Sequence, residues 1–266
     1  RQICTRCVLD STYPGIKFDA AGVCNYCGAS KKTDDQGLIK RKYEDKFNDI
    51  IGQVRGKGSY DCVLAYSGGK DSTYTLHLLR NRYDLRVLAV SFDNWFQSEE
   101  AKRNIETVVK KAGVDHVFLR PRFDVLSRIL HAAVECPVIP KKALERATAI
   151  CTVCLSLIRF GCFRLAIDME VPVVVLGLSP GQSPEAASVF KANGKMLRSM
   201  QEVVHGPLRE LLGSEVDPYF LEERHFIRED RMPHVVNPLA FLAYSENRIY
   251  EEIASYGWIA PSDTDS

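Results

Sequence analysis

The chain has 266 residues, 45% of them apolar and 26% charged, with a formal net charge of +1. That balance suits one good core plus a small appendage, excludes a low-complexity chain, and gives no general attraction to nucleic acid. No stretch approaches the roughly 18 apolar residues of a membrane span and no signal-like region opens the chain, so a cytoplasmic location without a membrane is expected. Because the sequence opens on Arg1 rather than Met, it is read as open to trimming at either end.

Nine cysteines without a secretory signal argue against a disulfide framework and toward metal or catalysis. Cys4 and Cys7 form one C-x-x-C and Cys24 and Cys27 another, with sixteen residues between the pairs. Pro14, Gly15 and Gly22 supply a ribbon-like reversal in that interval. Two thiol pairs on tight turns aim four sulfurs at one point, which is tetrahedral zinc geometry. Four thiolates close the coordination shell, so the expected zinc is structural, and an Fe–S cluster is the alternative. Residues 1–30 are thus read as a zinc-ribbon module.

Over residues 31–58 the chain turns polar and charged, with Leu38, Tyr43, Phe47, Ile50, Ile51 and Val54 at helical intervals, which predicts a linker helix. From residue 59 the pattern changes to short apolar runs alternating with amphipathic segments. The runs are "DCVLAYS", "LRVLAVSFD", "HVFLR" and "VPVVVLGL"; between them lie "TYTLHLLRN", "EEAKRNIETVVKKAG" and "FDVLSRILHAAV". Continuous apolar strands separated by helices imply an α/β fold, a doubly wound parallel sheet covered on both faces, over residues 59–266 with a helical C-terminal part. Ligands of such sheets bind outside the carboxyl ends of the strands.

The first of these strands ends at Tyr66 and runs into Ser67-Gly68-Gly69-Lys70-Asp71-Ser72, after which a helix begins. Two glycines let backbone N–H groups approach an anion, the helix N-terminus adds partial positive charge, Ser67 and Ser72 offer hydroxyls and Lys70 a cation. This is a phosphate cradle whose spacing fits neither the Walker loop nor the dinucleotide fingerprint. S-G-G-K-D-S after a strand resembles the PP-loop of the N-type ATP pyrophosphatases. The resemblance implies that ATP and Mg²⁺ lie over the strand ends and that a substrate oxygen attacks the α-phosphorus. Pyrophosphate then leaves and a nucleophile displaces AMP. It makes Ser67 to Ser72 the pyrophosphate site, with Lys70 and Asp71 catalytic. In "AVSFDN" it places Ser91, Phe92 and Asp93 near the adenine, with a cap for the Ser98 region as the alternative for Asp93. In "VVVLGLSPGQ", Gly177 resembles the family's glycine beside the ATP. Gln182, Lys191, Lys195 and Arg198 read either as facing substrate or as solvated positions.

A third C-x-x-C, Cys151 and Cys154, opens a helical stretch inside this domain, with Cys162 two turns on. A helix N-terminus favours thiolate, so both thiols are expected to be acidified. The segment resembles the C-x-x-C of PP-loop thiolases that modify tRNA bases, which carry a persulfide or, with a further cysteine, a [4Fe–4S] cluster. Arg159 and Arg164 match the family's basic pair loosely, and no cysteine follows Cys162. A buried structural pair is the plain alternative.

The span from Ile3 to Leu119 is similar to the N-acetyl sugar amidotransferases, which join a four-cysteine ribbon to a PP-loop domain. Those enzymes use ammonia from a separate glutaminase to modify a nucleotide sugar. The expectation is therefore adenylation of a carbonyl or carboxylate followed by sulfur transfer through Cys151 and Cys154, with amide transfer as the alternative. Expected partners are a small-molecule or nucleotide acceptor ahead of tRNA, with a sulfur donor protein or sulfide, or instead a glutaminase subunit; a homodimer is compatible.

Overall fold

The computed structural model describes residues 1–29, 36–135, 139, 140, 144, 147–183 and 185–260. The chain divides into two compact units, Arg1–Lys42 and Tyr43–Ser266. In the smaller unit, single antiparallel bridges join Ile3 to Asp10 and Phe18 to Cys24. A short helix, α1 (Asn25–Ala29), follows the second bridge. Gly15 and Gly22 turn the chain at φ +72° and +74°, a region an L side chain seldom enters.

Helix α2 (Gln36–Val54) starts in the smaller unit and ends in the larger. Residues 31–35 of the expected linker lie outside the described residues. From Tyr43 onward α2 is more than a tether, because its apolar stripe buries Phe47, Ile50 and Ile51 in the larger unit's core.

Among the described residues, the larger unit is built on six strands, β1 (Cys62–Ala65), β2 (Val87–Phe92), β3 (Asp115–Leu119), β4 (Val173–Leu176), β5 (Val189–Lys191) and β6 (His234–Val236). Their order is β3-β2-β1-β4-β6-β5. All neighbours are parallel except β5, which runs antiparallel to β6 at the edge. The helices are α3 (Lys70–His77), α4 (Glu99–Ala112), α5 (Phe123–Glu135), α6 (Ala149–Asp168), α7 (Gly194–Leu212), α8 (Glu223–Phe226) and α9 (Glu246–Ala254). Successive strand residues point to opposite faces. Val63, Leu88, Val90 and Val174 join α5, α6 and α7 in one core, and Leu64, Val87, Ala89 and Val175 join α2, α3, α4 and α9 in the other. Burial on both faces is why these strands read as unbroken apolar runs, each such side chain contributing about 1.5–3 kcal/mol.

By length and composition α6 is apolar enough to cross a membrane, which corrects the expectation that no stretch approaches a span. Its apolarity has a local cause: Val153, Leu157, Phe160, Cys162, Phe163, Ala166 and Ile167 are buried in the first core.

The chain winds outward from β1 through β2 to β3, then returns to the other side of β1 as β4. The carboxyl ends of β1 and β4 therefore diverge into a crevice, the place where open α/β sheets bind ligands.

Candidate functional site

The S-G-G-K-D-S loop sits at that crevice, between the end of β1 and the first turn of α3. Gly68 has φ +80°, and a Cβ there would lie 2.5 Å from Ile105 Cγ1, so only glycine holds this turn against α4. Inside the loop, Ser72 Oγ donates to Gly69 O at 3.0 Å and lies 3.1 Å from Ser67 Oγ, while Gly69 N donates to Ser67 Oγ at 3.3 Å. The two serines brace the loop and leave the first-turn amides of α3 without intrahelical acceptors, pointed where an anion would sit.

Lys70 is 8% exposed. Its Nζ pairs with Glu246 of α9 and lies 5.3 Å from the centroid of the Tyr250 ring. Burial works against the ammonium, but the Glu246 carboxylate outweighs it and holds the Lys70 pKa above its ordinary value. Asp71 accepts from Tyr244 OH at 2.8 Å and from Ser179 Oγ. Burial and the Asp71 charge push the Tyr244 phenol up to about 12, so it stays protonated and donates. The crevice is thus lined by one cation and one carboxylate whose partners are exchangeable hydroxyl and carboxylate groups.

Gly177 ends β4 beside this loop. A Cβ on it would come 2.8 Å from Ser72 Cα and 3.2 Å from Thr75 Oγ1. The space freed by its missing side chain is filled by α3, so here Gly177 admits the cradle's own helix to the strand end. Gln182 closes the following turn, its Oε1 accepting from Ser179 N at 2.8 Å.

At the end of β2, Ser91 is fully buried, donating to Tyr66 O at 2.6 Å and lying 2.8 Å from His116 Nε2. Its side chain ties three strands together. Phe92 packs against the first core, and its carbonyl accepts from Gln97 Nε2 at 3.3 Å. Asp93 is only 1% exposed and its carboxylate is occupied, accepting from Trp95 N at 2.8 Å and pairing with Arg120 at 2.6 Å. It does not cap α4, because Ser98 does so itself by accepting from Ala101 N at 3.2 Å. Lys191 lies opposite His234 at the start of β6, away from the carboxyl ends of the parallel strands. Arg198 pairs with Glu223, and Lys195 is exposed on α7.

Helix α6 leads into the start of β4, so its N-terminus points to the carboxyl edge of the sheet. Gly161 packs against Leu119 at the end of β3, where a Cβ would come 2.5 Å from Leu119 Cδ1. Cys154 lies two turns, about 10 Å, further out along the axis. Thr148 caps the helix, accepting from Cys151 N at 3.2 Å. Cys151 is exposed and Cys154 half-buried. Contrary to the expectation of an acidified pair, burial pushes the Cys154 thiol up, with Cys151 adding to it. Cys162 is fully buried and pushed up to about 12 by the same cause. Among the described residues, no third metal-ligating side chain joins Cys151 and Cys154.

In the smaller unit, Cys4, Cys7, Cys24 and Cys27 place their sulfurs all within 4.8 Å of one another. Cys7 and Cys24 are 3.7 Å apart, Cys4 and Cys27 4.0 Å. A tetrahedral ion at about 2.3 Å from each sulfur demands edges of about 3.8 Å, and these sulfurs fit it. Cys4 Sγ accepts from Cys24 N at 3.2 Å and from Arg6 N at 3.4 Å, and Cys24 Sγ from Cys27 N at 3.4 Å. Burial raises the Cys4 pKa, but these amides overcome it and bring the thiol to about 6. Its neighbours then oppose further ionisation: hydrogen bonding to Cys7, burial and the remaining thiols push Cys27 up to about 12. The four sulfurs are thus arranged as a set that could hold one metal ion.

Ser179, Tyr244, Glu246, Tyr250 and Trp258 belong to the site and were not anticipated. Trp258 Nε1 donates to Gly68 O at 2.8 Å, and Ile259 N to Asn104 Oδ1 at 3.0 Å. Only Ser179 carried a signal, following Gly177 in "GLSPGQ"; the others come from a stretch distant in sequence.

No protein-family model matches the chain. An uncharacterized protein of Methanocaldococcus jannaschii is 26% identical over 204 residues, covering 73% of this chain; the match spans 65% of that relative's own length. Among solved structures, the U34-tRNA thiolase NcsA from Methanococcus maripaludis, with its [4Fe–4S] cluster, is similar over 97% of this chain and 74% of its own. Its identity is 15% and its TM-score 0.40. NMN synthetase from Francisella tularensis is similar over 84% of this chain and 71% of its own, with 10% identity and TM-score 0.40. Both are members of the PP-loop ATP pyrophosphatase superfamily.

Proposed function

We propose that the chain is an ATP-dependent enzyme of PP-loop type, which activates a substrate carbonyl or carboxylate oxygen as its adenylate and releases pyrophosphate. The observation that carries this is the cradle, in which Gly68, the free first turn of α3, Lys70, Ser67 and Ser72 converge at the divergence of β1 and β4. Lys70 and the amides hold the departing pyrophosphate, and its negative charge replaces that of Glu246. Mg²⁺, bound with ATP, neutralises phosphate charge; Asp71 is the carboxylate in the loop that fits it. Adenylation turns a poor leaving group into AMP, so an incoming nucleophile displaces AMP at the activated carbon.

For that second step the Cys154 thiol favours nitrogen over sulfur. A thiolate is the sulfur nucleophile, and burial disfavours it at Cys154 by raising the thiol's pKa above its ordinary value. Ammonia from a glutaminase partner attacks the adenylated carbon, AMP departs with the oxygen, and a carboxylate becomes an amide. The resemblance of residues 3–119 to N-acetyl sugar amidotransferases supports the same choice and a nucleotide-linked sugar as acceptor. Sulfur transfer through Cys151 and Cys154 is the rival, supported by the position of the α6 N-terminus on the crevice side of the sheet. In the smaller unit we assign one structural zinc to Cys4, Cys7, Cys24 and Cys27; a [4Fe–4S] cluster would spread its four thiolates over separate irons, wider than the sulfurs lie here.

The test supplies ATP, Mg²⁺ and a nucleotide-linked N-acetyl sugar acid to the wild type and to Cys151→Ser and Cys154→Ser, with ammonium or sulfide, and weighs the product by mass spectrometry. Amide formation retained in both variants supports nitrogen transfer. A sulfur-bearing product that both substitutions abolish, while pyrophosphate release persists, overturns it in favour of thiolation. Release of ADP and phosphate by the wild type overturns the activation step itself.

A further inference from the structure

Beyond the crevice, the carboxyl ends of β2 and β3 carry a group of solvent-facing rings that the activation chemistry does not use. Trp95 is 44% exposed, Phe96 67% and Phe123 50%. Trp95 and Phe123 meet edge to face with centroids 5.7 Å apart, and the Arg120 guanidinium lies 4.9 Å from the centroid of the indole. A chain normally spends its large rings in the core, and both cores here are well supplied. Rings gathered at a strand-end edge need another reason.

Trp95 is fixed with unusual care. Its backbone adopts φ +68°, a left-handed conformation that a bulky residue rarely takes. Three contacts hold it there. Its amide donates to Asp93 Oδ1 at 2.8 Å, its indole Nε1 donates to Pro121 O at 2.9 Å, and Arg120, itself locked to Asp93 at 2.6 Å, covers the ring. The near-complete burial of Asp93 makes this anchor rigid. The cations are already matched, Arg120 by Asp93 and Arg122 by Asp124. What remains for a ligand is therefore flat, polarisable surface with little net charge, which suits a planar heteroaromatic ring.

We propose that Trp95, Phe96 and Phe123 form a stacking platform for a nucleobase carried by the acceptor substrate. The platform deepens the function proposed above, because it rests on that acceptor carrying a base. Position supports the assignment: the platform follows β2 and β3, strands on one side of β1, so a base stacked there leaves its attached group free to extend along the carboxyl edge toward the cradle. Stacking is tolerant of base identity, and the acceptor proposed above makes the base that of a free nucleotide; a single strand of RNA is the other outcome that the test distinguishes.

The chain has two tryptophans. Trp258 is buried and bonded to Gly68, so quenching of the exposed Trp95 reports the platform directly. The full chain is titrated with uridine, UMP, a short single-stranded oligouridylate and ATP, following tryptophan emission. Saturable quenching by uridine and UMP that is lost in Trp95→Phe and weakened at least about fivefold in Phe96→Ala supports the platform. Oligouridylate binding tighter than UMP identifies RNA as the source of the base; equal binding identifies a free nucleotide. Quenching by ATP alone overturns the proposal and makes the rings the seat of ATP's own adenine, as does the absence of quenching by any of the probes. The measurement needs no turnover. Quenching without pyrophosphate release retains the platform while removing the activation step, and the converse result removes only the platform.

Discussion

Tyr244 donates its hydroxyl to Asp71 at 2.8 Å across 173 residues of chain. The second charged residue of the cradle is thus oriented by a segment that no local motif announces. Because the phenol stays protonated, the bond fixes the carboxylate without neutralising it. Tyr244→Phe should lower kcat/KM for ATP by about ten- to hundredfold, the worth of a hydrogen bond to a charged group. Lys70→Ala should abolish pyrophosphate release and Asp71→Asn impair it, with far-UV circular dichroism unchanged, since both lie at a strand end. Pyrophosphate release at the wild-type rate in all three would remove the cradle from the mechanism.

Glu246 occupies Lys70, but its side chain is 58% exposed, so their pairing is screened by solvent and weak. Glu246→Gln should therefore tighten the binding of inorganic pyrophosphate by about two- to fivefold in calorimetry, because the incoming anion no longer displaces a carboxylate. Weaker binding in the variant would instead make Glu246 part of the ligand site.

Gly177→Ala places a methyl group 2.8 Å from Ser72 Cα, against backbone that cannot rotate aside. A cost of about 1–3 kcal/mol is expected from the forced shift of α3. It should appear as a lower Tm together with weaker ATP binding. A fall in ATP binding with an unaltered Tm would restore to Gly177 a direct contact with nucleotide.

Removal of the metal should loosen residues 1–42 selectively. Cys4→Ser/Cys24→Ser should retain less than about one zinc in ten molecules and gain protease sensitivity in this segment, as folding and metal binding are coupled in ribbons. Stoichiometric zinc in that double variant would refute the four-sulfur site.

Much of this was legible in the sequence because it is local. The four runs that became β1 to β4 are continuous and apolar since both faces are buried, and the cradle's glycines, lysine and serines fall within six residues. β5 and β6 escaped because three residues each carry no period to read. Spacing alone leaves Asp93 between ligand and helix cap; what settles its contacts is Arg120, on the next strand's loop, a pairing set by sheet order. At Cys154 the helix-terminus rule failed for a definable reason. The dipole acts over one turn, whereas the packing that desolvates the thiol depends on elements far away in sequence.

The bond from Trp258 to Gly68 spans 190 residues, so the ribosome delivers the loop long before it delivers the side chain that closes it. A nascent chain emerging through β1 and α3 carries the glycine loop without its clasp. A chain that ends before Trp258 therefore holds every residue of the loop and lacks the indole that ties Gly68 O in place.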